Sequence, residues 1–239
     1  MITDNIKVIK HSCVRIECGI VIYIDPFMVE GAPHDADLVL VTHPHFDHFS
    51  PPNIRKVAKQ GTVVAGPYML KRAKAVIGGC SLVPLSAGQK TNLCGINIEA
   101  VPAYNLKPAR PHKRFLGWLG YVLDIGGEKV YITGDTDATP ESKAVKCDVL
   151  MLPVGGSNYT MNAAEAADLA NTIRPKTVIP IHYGALLGGR QAAQKFKDLV
   201  SPDIHTDIRP TVYSNAMVYA YSIAAAAIAL LLVVYFALL

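Results

Sequence analysis

Cysteine is scarce in this sequence and is not arranged for cross-linking. The 239 residues include five cysteines, and no two of them form a CxxC pair, so neither a disulfide framework nor a cysteine-ligated zinc site is predicted. Reduced thiols in a reducing compartment are the expectation. The sequence also lacks glycine-rich phosphate loops of the GxGxxG or P-loop type, which argues against nucleotide binding.

Excess charge is equally modest. The net charge is +4, and 18% of the residues are charged against 51% that are apolar. This is far from the dense Lys and Arg loading of a dedicated nucleic-acid-binding protein, so no nucleic-acid partner is expected. A composition this apolar predicts a packed core rather than disorder, and the length suits one domain, which we place at 1–210.

Long apolar runs are missing until the C-terminus. Residues 1–10 carry charged side chains and do not resemble a signal peptide, whereas residues 216–239 contain no charged side chain. As a helix this segment would extend about 36 Å, enough to cross about 30 Å of hydrocarbon. We therefore predict a C-terminal transmembrane anchor over 216–239. The positive charges lie before it, which predicts a single-pass membrane protein with its N-terminal domain in the cytoplasm.

Short strands alternate with helices along 1–210. The apolar pattern predicts strands at 14–16, 20–24, 38–42, 62–65, 96–101, 121–125, 130–133, 149–153 and 177–181. It predicts helices at 54–59, 68–77, 163–173 and 191–200. Two hairpins, at 14–24 and 121–133, interrupt the alternation, so we expect an α/β fold in which helices cover mixed sheets.

A dense group of metal-ligating side chains follows the strand predicted at 38–42. Residues 43–48 read His-Pro-His-Phe-Asp-His, which places three imidazoles and one carboxylate within six positions. These ligand types suit zinc, manganese or iron(II), and α/β sheets place their sites at the carboxyl ends of strands. A metal site is therefore predicted here, against the alternative of a solvated histidine-rich loop.

These residues, with others further along the chain, resemble the metallo-β-lactamase superfamily. The likeness rests on HxHxDH at 43–48, on Gly134-Asp135-Thr136, and on His182 within the sequence PIHYG. Segments 24–27, 152–156 and 159–161 are similar to the branch that contains L-ascorbate-6-phosphate lactonase-like hydrolases and the N-acyl-phosphatidylethanolamine phospholipase D. The resemblance covers residues 6 to about 200. It implies a four-layer αββα sandwich with a one- or two-metal site along one edge.

The resemblance also implies a role for each of these side chains. The implied ligands are His43 and His45 for a first cation, Asp47, His48 and His182 for a second, and Asp135 bridging the two. One or two Zn²⁺ per chain are expected, with Mn²⁺ or Fe²⁺ as alternatives. A hydroxide held between two cations is a nucleophile at neutral pH. Asp47 is the catalytic candidate, because a carboxylate beside that hydroxide can orient it or accept a proton.

One ligand of the first site departs from the family pattern. The family supplies a third histidine near the end of the strand predicted at 96–101, where this chain has Tyr104-Asn105 instead. The nearest histidine is His112. Either His112 reaches the first cation from its loop, or Asn105 or water takes that position, and the sequence leaves these alternatives open.

The loop at 105–114 has four fixed positive charges and no acidic residue. We predict either an ordinary solvated loop or a surface that attracts an anionic substrate, with Arg110, Lys113 and Arg114 as substrate-binding candidates. Elsewhere, His11 is interpreted as a packing or hydrogen-bonding residue rather than a ligand. Asp25 is interpreted as a turn cap or as an acceptor that supports a ligand histidine.

The predicted function is metal-dependent hydrolysis of a small anionic ester, lactone or phosphodiester, with a small anionic or amphiphilic molecule as the substrate. Two alternatives are a nuclease of the same fold and a membrane-tethered metal-binding protein without turnover. The modest net charge argues against the nuclease. The complete set of ligand residues argues against a protein that has lost its activity.

Overall fold

The computed structural model describes residues 1–156, 158–184, 186 and 188–209. The strands among these residues are β1 (Ile6–Lys10), β2 (Cys13–Glu17), β3 (Val21–Ile24), β4 (Ala36–Leu40), β5 (Ala58–Pro67), β6 (Ser81–Leu85), β7 (Lys90–Leu93), β8 (Ile96–Pro102), β9 (Leu119–Ile125), β10 (Glu128–Ile132), β11 (Val149–Pro153), β12 (Thr177–Ile181) and β13 (His205–Thr206). The α-helices are α1 (Pro51–Val57), α2 (Pro140–Ala144), α3 (Ala163–Ile173) and α4 (Arg190–Leu199). Short 3₁₀ segments occupy Ile2–Asn5, Tyr68–Val76 and Arg114–Leu116.

The strands form two sheets. The first runs β1-β2-β3-β4-β5-β6, and the second runs β13-β12-β11-β10-β9-β8-β7. The predicted hairpins are the antiparallel pairs β2–β3 and β9–β10, which confirms both. From β3 to β6 in the first sheet and from β10 to β13 in the second, neighbouring strands are parallel. Parallel strands end at a common edge, where their loops collect.

Apolar side chains fill the space between the sheets and under the helices. The central layer joins residues of both sheets, among them Ile16, Leu38 and Tyr121. Helices α3 and α4 pack on the outer face of the second sheet, while α1 and the 68–76 segment pack on the outer face of the first. The predicted α/β sandwich is thereby confirmed. The helix predicted at 68–77 differs in detail, because this segment is 3₁₀ rather than α.

The predicted transmembrane helix requires a correction. Across the residues that the structure describes, no helix is both long and apolar enough to cross a bilayer. The longest of them, α3, has 11 residues, against the roughly 20 that a span requires. The predicted anchor at 216–239 lies outside the described residues. The described residues form the α/β sandwich alone, and this finding overturns the predicted fold class with a membrane helix and the predicted membrane protein with a cytoplasmic domain.

Candidate metal centre

Metal-ligating side chains gather where strands of both sheets end. His43, His45, Asp47 and His48 lie in the loop after β4 of the first sheet, and the loops after β8, β10 and β12 of the second sheet supply His112, Asp135 and His182. The two sides are joined by backbone hydrogen bonds, for example from the Leu119 N–H to the Thr42 carbonyl at 3.0 Å. The ligand set therefore forms at the edge of the sandwich, as predicted from strand ends.

Three histidines form a first cluster, defined as His43, His45 and His112. Their candidate ligand nitrogens all lie within 4.8 Å of one another, and His43 Nε2 is 3.1 Å from His45 Nδ1. The buried Trp118 ring packs against all three, with ring centroids 4.7–4.9 Å apart. The indole walls the cluster on one side and limits how far its imidazoles can turn.

The protonation of the first cluster fits a cation. His112 Nδ1 lies 3.2 Å from the Asp135 carbonyl, which assigns the proton to Nδ1 and leaves the Nε2 lone pair free. Among the described residues, nothing hydrogen-bonds to this buried Nε2. Burial lowers the pKa of His112 to about 4 and holds the pKa values of His43 and His45 below their usual range. All three are therefore neutral near pH 7, the state in which imidazole binds metals.

A second cluster comprises Asp47, His48, Asp135 and His182. Asp135 Oδ2 lies 3.2 Å from His182 Nε2 and 3.5 Å from His48 Nε2. The same oxygen is 3.8 Å from His43 Nε2 of the first cluster. Asp47 Oδ2 is 3.4 Å from His48 Nε2 and 3.7 Å from His182 Nε2. Asp135 thus faces both clusters, which is the position that a bridging carboxylate must occupy.

The second cluster carries balanced charges. Burial lowers the pKa of His48, but Asp135 and Asp47 outweigh it and hold that pKa well above the usual value. Burial also lowers the pKa of His182, and the carboxylate of Asp135 raises it to about 9. Burial would raise the pKa of Asp135, yet the two imidazoles hold it well below its usual range. The carboxylates are ionised, and a cation would replace the protons that now balance them.

Asp25 hydrogen-bonds to the ring nitrogen of His48 that faces away from the cluster. Its Oδ2 lies 2.7 Å from His48 Nδ1, and its carboxylate also accepts hydrogen bonds from the Thr42 N–H at 2.7 Å and hydroxyl at 2.6 Å. These bonds fix the ring so that Nε2 points at Asp135 and Asp47. The prediction that Asp25 supports a histidine of this loop is confirmed.

His112, and not Asn105, is the residue that reaches the first cluster. The Asn105 amide is used inside its own loop, where Oδ1 accepts from the His112 N–H at 3.0 Å. Its Nδ2 donates to the Tyr159 carbonyl at 3.0 Å and to Asp137 Oδ1 at 3.2 Å. Asn105 therefore shapes the loop that carries His112. The role of His112 as a ligand stays a prediction.

Basic side chains of the loop at 105–114 pair with acidic side chains and a carbonyl of other residues. The Arg110 side chain is only 7% exposed, and its guanidinium donates to Asp137 and, at 3.0 Å, to Glu165 Oε2. The more exposed Arg114 pairs with Glu141 at 2.7 Å, and the Lys113 ammonium donates to the Pro108 carbonyl. Arg110 is thus occupied by carboxylates of its own chain. Substrate binding by Arg110, Lys113 and Arg114 stays a prediction.

Two further residues of this edge, His11 and Trp118, are not among the predicted site residues. The hydrogen-bonding interpretation of His11 is confirmed, because its Nε2 lies 3.2 Å from Asp47 Oδ2. Like His182, it directly follows the last residue of a strand, and that position was the available signal. Nothing in the sequence around Trp118 indicates that it contacts the histidines, because those contacts depend on how the loops fold. His34 and His205 are exposed and belong to neither cluster.

Replacement of His112 by alanine tests its ligand role. We expect the bound metal to fall toward one ion per chain, because a first site with two of its three imidazoles loses most of its affinity. Elemental analysis after dialysis at a fixed free metal concentration measures this. The matched control is His205→Ala, which removes an exposed histidine and should leave the metal content unchanged. An unchanged content in His112→Ala would contradict the assignment.

Comparison with known proteins agrees with this geometry. Residues 5–182 match the family described as the Beta-lactamase superfamily domain. A UPF0173 metal-dependent hydrolase of Thermus thermophilus is 31% identical, over 80% of this chain and 89% of its own. A UPF0173 protein of Pyrococcus abyssi is 32% identical, over 78% of this chain and 86% of its own.

Solved structures show the same likeness. A crystal structure described as a metal-dependent hydrolase of Parabacteroides distasonis superposes with a TM-score of 0.71 at 31% identity, covering 87% of this chain and 93% of that one. A protein described as a Zn-dependent hydrolase of the metallo-β-lactamase superfamily, from Thermotoga maritima, has a TM-score of 0.58 at 20% identity over 85% of this chain and 96% of its own. The second likeness concerns the fold alone.

Proposed function

Since the chain belongs to the β-lactamase superfamily, with relatives named metal-dependent hydrolases, we propose that it hydrolyses a small ester, lactone or phosphodiester with one or two bound cations. One observation carries the proposal. Asp135 Oδ2 faces imidazoles of two buried clusters, at 3.2–3.8 Å, an arrangement suited to a carboxylate shared between cations about 3.5–4 Å apart.

The residues of the site have different proposed roles in cation binding and in catalysis. The first cluster would hold one cation through three neutral imidazoles, and the second cluster would hold another through imidazoles and carboxylates. This donor set suits Zn²⁺, with Mn²⁺ or Fe²⁺ as alternatives. When bound, such ions polarise a carbonyl or phosphoryl oxygen and lower the pKa of water. Asp47, ionised and largely buried at this edge, would orient the attacking water and accept its proton.

The surroundings of the clusters support a proposal for the substrate class. Phe46, Phe115 and Tyr159 are 48%, 86% and 44% exposed. Phe46 and Phe115 lie within loops that carry the clusters, and Tyr159 lies between β11 and α3. The Tyr159 ring centroid is 6.2 Å from that of His112. Exposed aromatic side chains beside a site favour an apolar group on the ligand. Since Arg110 is engaged internally, we propose an amphiphilic substrate with an acyl or aromatic group and a single negative charge, the latter near Lys113 or Arg114.

Turnover of a substrate panel tests the proposed function. The full chain is assayed against p-nitrophenyl esters of increasing acyl length, lactones and bis(p-nitrophenyl) phosphate, before and after chelation and after return of Zn²⁺, Mn²⁺ or Fe²⁺. We expect hydrolysis that chelation removes and one of these ions restores. Activity should rise with acyl length, because each added methylene buries more apolar surface against the aromatic side chains.

The same panel distinguishes the alternatives. Full metal content without turnover of any compound would leave a metal-binding protein and contradict the proposal. Cleavage of single- or double-stranded nucleic acid in preference to the small esters would indicate the nuclease. Variants Phe115→Ser and Phe46→Ser should flatten the dependence on acyl length without changing the metal content.

A further inference from the structure

His11 occupies an unusual position at the metal-ligating edge. It lies in the turn between β1 and β2, its side chain is fully buried, and its backbone is left-handed at φ 56°. Residues with a Cβ adopt this conformation much less often than glycine because Cβ meets the following carbonyl, although histidine, asparagine and aspartate do so more often than other types. It is not among the ligands that the family resemblance implies. His11 is therefore a fully buried imidazole on a left-handed backbone, and its contacts show what holds it there.

The His11 side chain and backbone contact two residues of the second cluster. Its Nε2 is 3.2 Å from Asp47 Oδ2. Its ring lies against that of His182, with centroids 3.8 Å apart and planes tilted by 38°. Its carbonyl accepts a hydrogen bond from the His182 N–H at 3.1 Å. One residue of the first sheet therefore holds the backbone of His182 from the second sheet, together with the carboxylate of Asp47.

We infer that His11 is a positioning residue, which donates a hydrogen bond from Nε2 to Asp47 and so presents that carboxylate to the cation of the second cluster. A carboxylate on a loop can rotate about its last bond, and a fixed donor on one oxygen removes that freedom. The inference rests on the proposed function only in assuming that a cation binds here. It concerns the affinity for that cation and makes no demand on the substrate.

Two amide variants separate positioning from packing. His11→Gln carries its amide nitrogen near the place of His Nε2, whereas His11→Asn has the same chemistry but is too short to reach Asp47. Asparagine, however, tolerates the left-handed backbone better than glutamine does. A role in stability alone would therefore favour His11→Asn, and a positioning role would favour His11→Gln. The pair remains informative even where both variants lose some stability.

The measurement is cation binding to the full chain, by calorimetric titration with Zn²⁺ or Co²⁺ and elemental analysis. We expect His11→Asn to lower the affinity for the second cation about 10- to 100-fold, as is typical for loss of a hydrogen bond to a metal ligand. The affinity of His11→Gln should stay within about threefold of that of the parent. Quenching of Trp118 fluorescence by the first cation should be unchanged in both, which shows that the fold persists.

Equal affinities in the parent and both variants would overturn the inference. Equal loss in both would also overturn it, because it would indicate that His11 is itself a ligand that neither amide replaces. A protein without hydrolytic activity would contradict the proposed function but leave this comparison valid, since binding alone is measured.

Discussion

Asp135→Ala is expected to release cations from both clusters and to lower hydrolysis by about 10³-fold or more. The carboxylate faces His43 of the first cluster on one side and His48 and His182 of the second cluster on the other. Its loss therefore removes a ligand from the second cluster and takes the proposed bridging carboxylate away from the first. Metal ions contribute several kcal/mol of transition-state stabilisation, and each 1.36 kcal/mol corresponds to a factor of about ten. Elemental analysis and turnover of the preferred ester measure the two effects together.

The isosteric variant Asp135→Asn tests the effect of the negative charge of this side chain separately from the effect of its volume. It keeps the volume of the side chain, so it should remain folded, yet it loses the negative charge that holds the pKa of His182 at about 9. The matched control is Asp203→Ala, which removes an exposed surface partner of Arg174 and should change neither measurement. Full metal content and parental turnover in Asp135→Ala would show that the site is assigned wrongly.

Arg110→Met is expected to lower the free energy of unfolding by about 3 kcal/mol, since breaking a buried ion pair leaves an unpaired charge inside the protein. Arg110 and Asp137 are each 7% exposed. Asp137 also accepts from the Leu106 N–H at 2.8 Å and from Asn105, so its displacement would disturb the loop that carries His112. We expect the first cation to bind about 10- to 100-fold more weakly.

Urea unfolding and quenching of Trp118, the one tryptophan of the chain, provide the two readouts. Arg114→Met is the control, because its pair with Glu141 is exposed and surface pairs contribute about 0–1 kcal/mol. In the double variant Arg110→Met/Asp137→Asn, removal of both charges should restore part of the unfolding free energy. If instead Arg110→Met raised KM and left the unfolding free energy and the cation affinity unchanged, this result would contradict the structural role. It would support the prediction that Arg110 binds the substrate.

The sequence predicted those parts of the fold that depend on local patterns. Strands β11 and β12 and helix α3 have the predicted boundaries, because continuous apolar runs and the Asn162–Glu165 capping box carry their own signal. Strands β6 and β7 were missed. The first contains Pro84 and the second is largely polar, so their strand character comes from pairing with neighbours rather than from their own residues.

The candidate site was predictable where it follows one motif or a strand end, and less so where it depends on distant partners. His43, His45, Asp47 and His48 lie within six consecutive residues, so their proximity could be predicted without knowledge of the fold. The partners of Arg110, in contrast, are 27 and 55 residues away, and a run of positive charge does not reveal that acids from other loops pair with it. His11 meets Asp47 across 36 residues. Charge and residue type identify the chemistry of a side chain, whereas its partner is set by topology.

The supply of ligands from both sheets has a thermodynamic consequence. A cation at this edge would be held by the loop after β4 on one side and by the loops after β8, β10 and β12 on the other. Unfolding would therefore require its release. Binding to the folded chain alone adds about 2.7 kcal/mol of stability at a free ion concentration one hundred times the dissociation constant. The unfolding free energy of this chain would then vary with the ion concentration around it, and the edge would act as a reversible cross-link between the two halves of the sandwich.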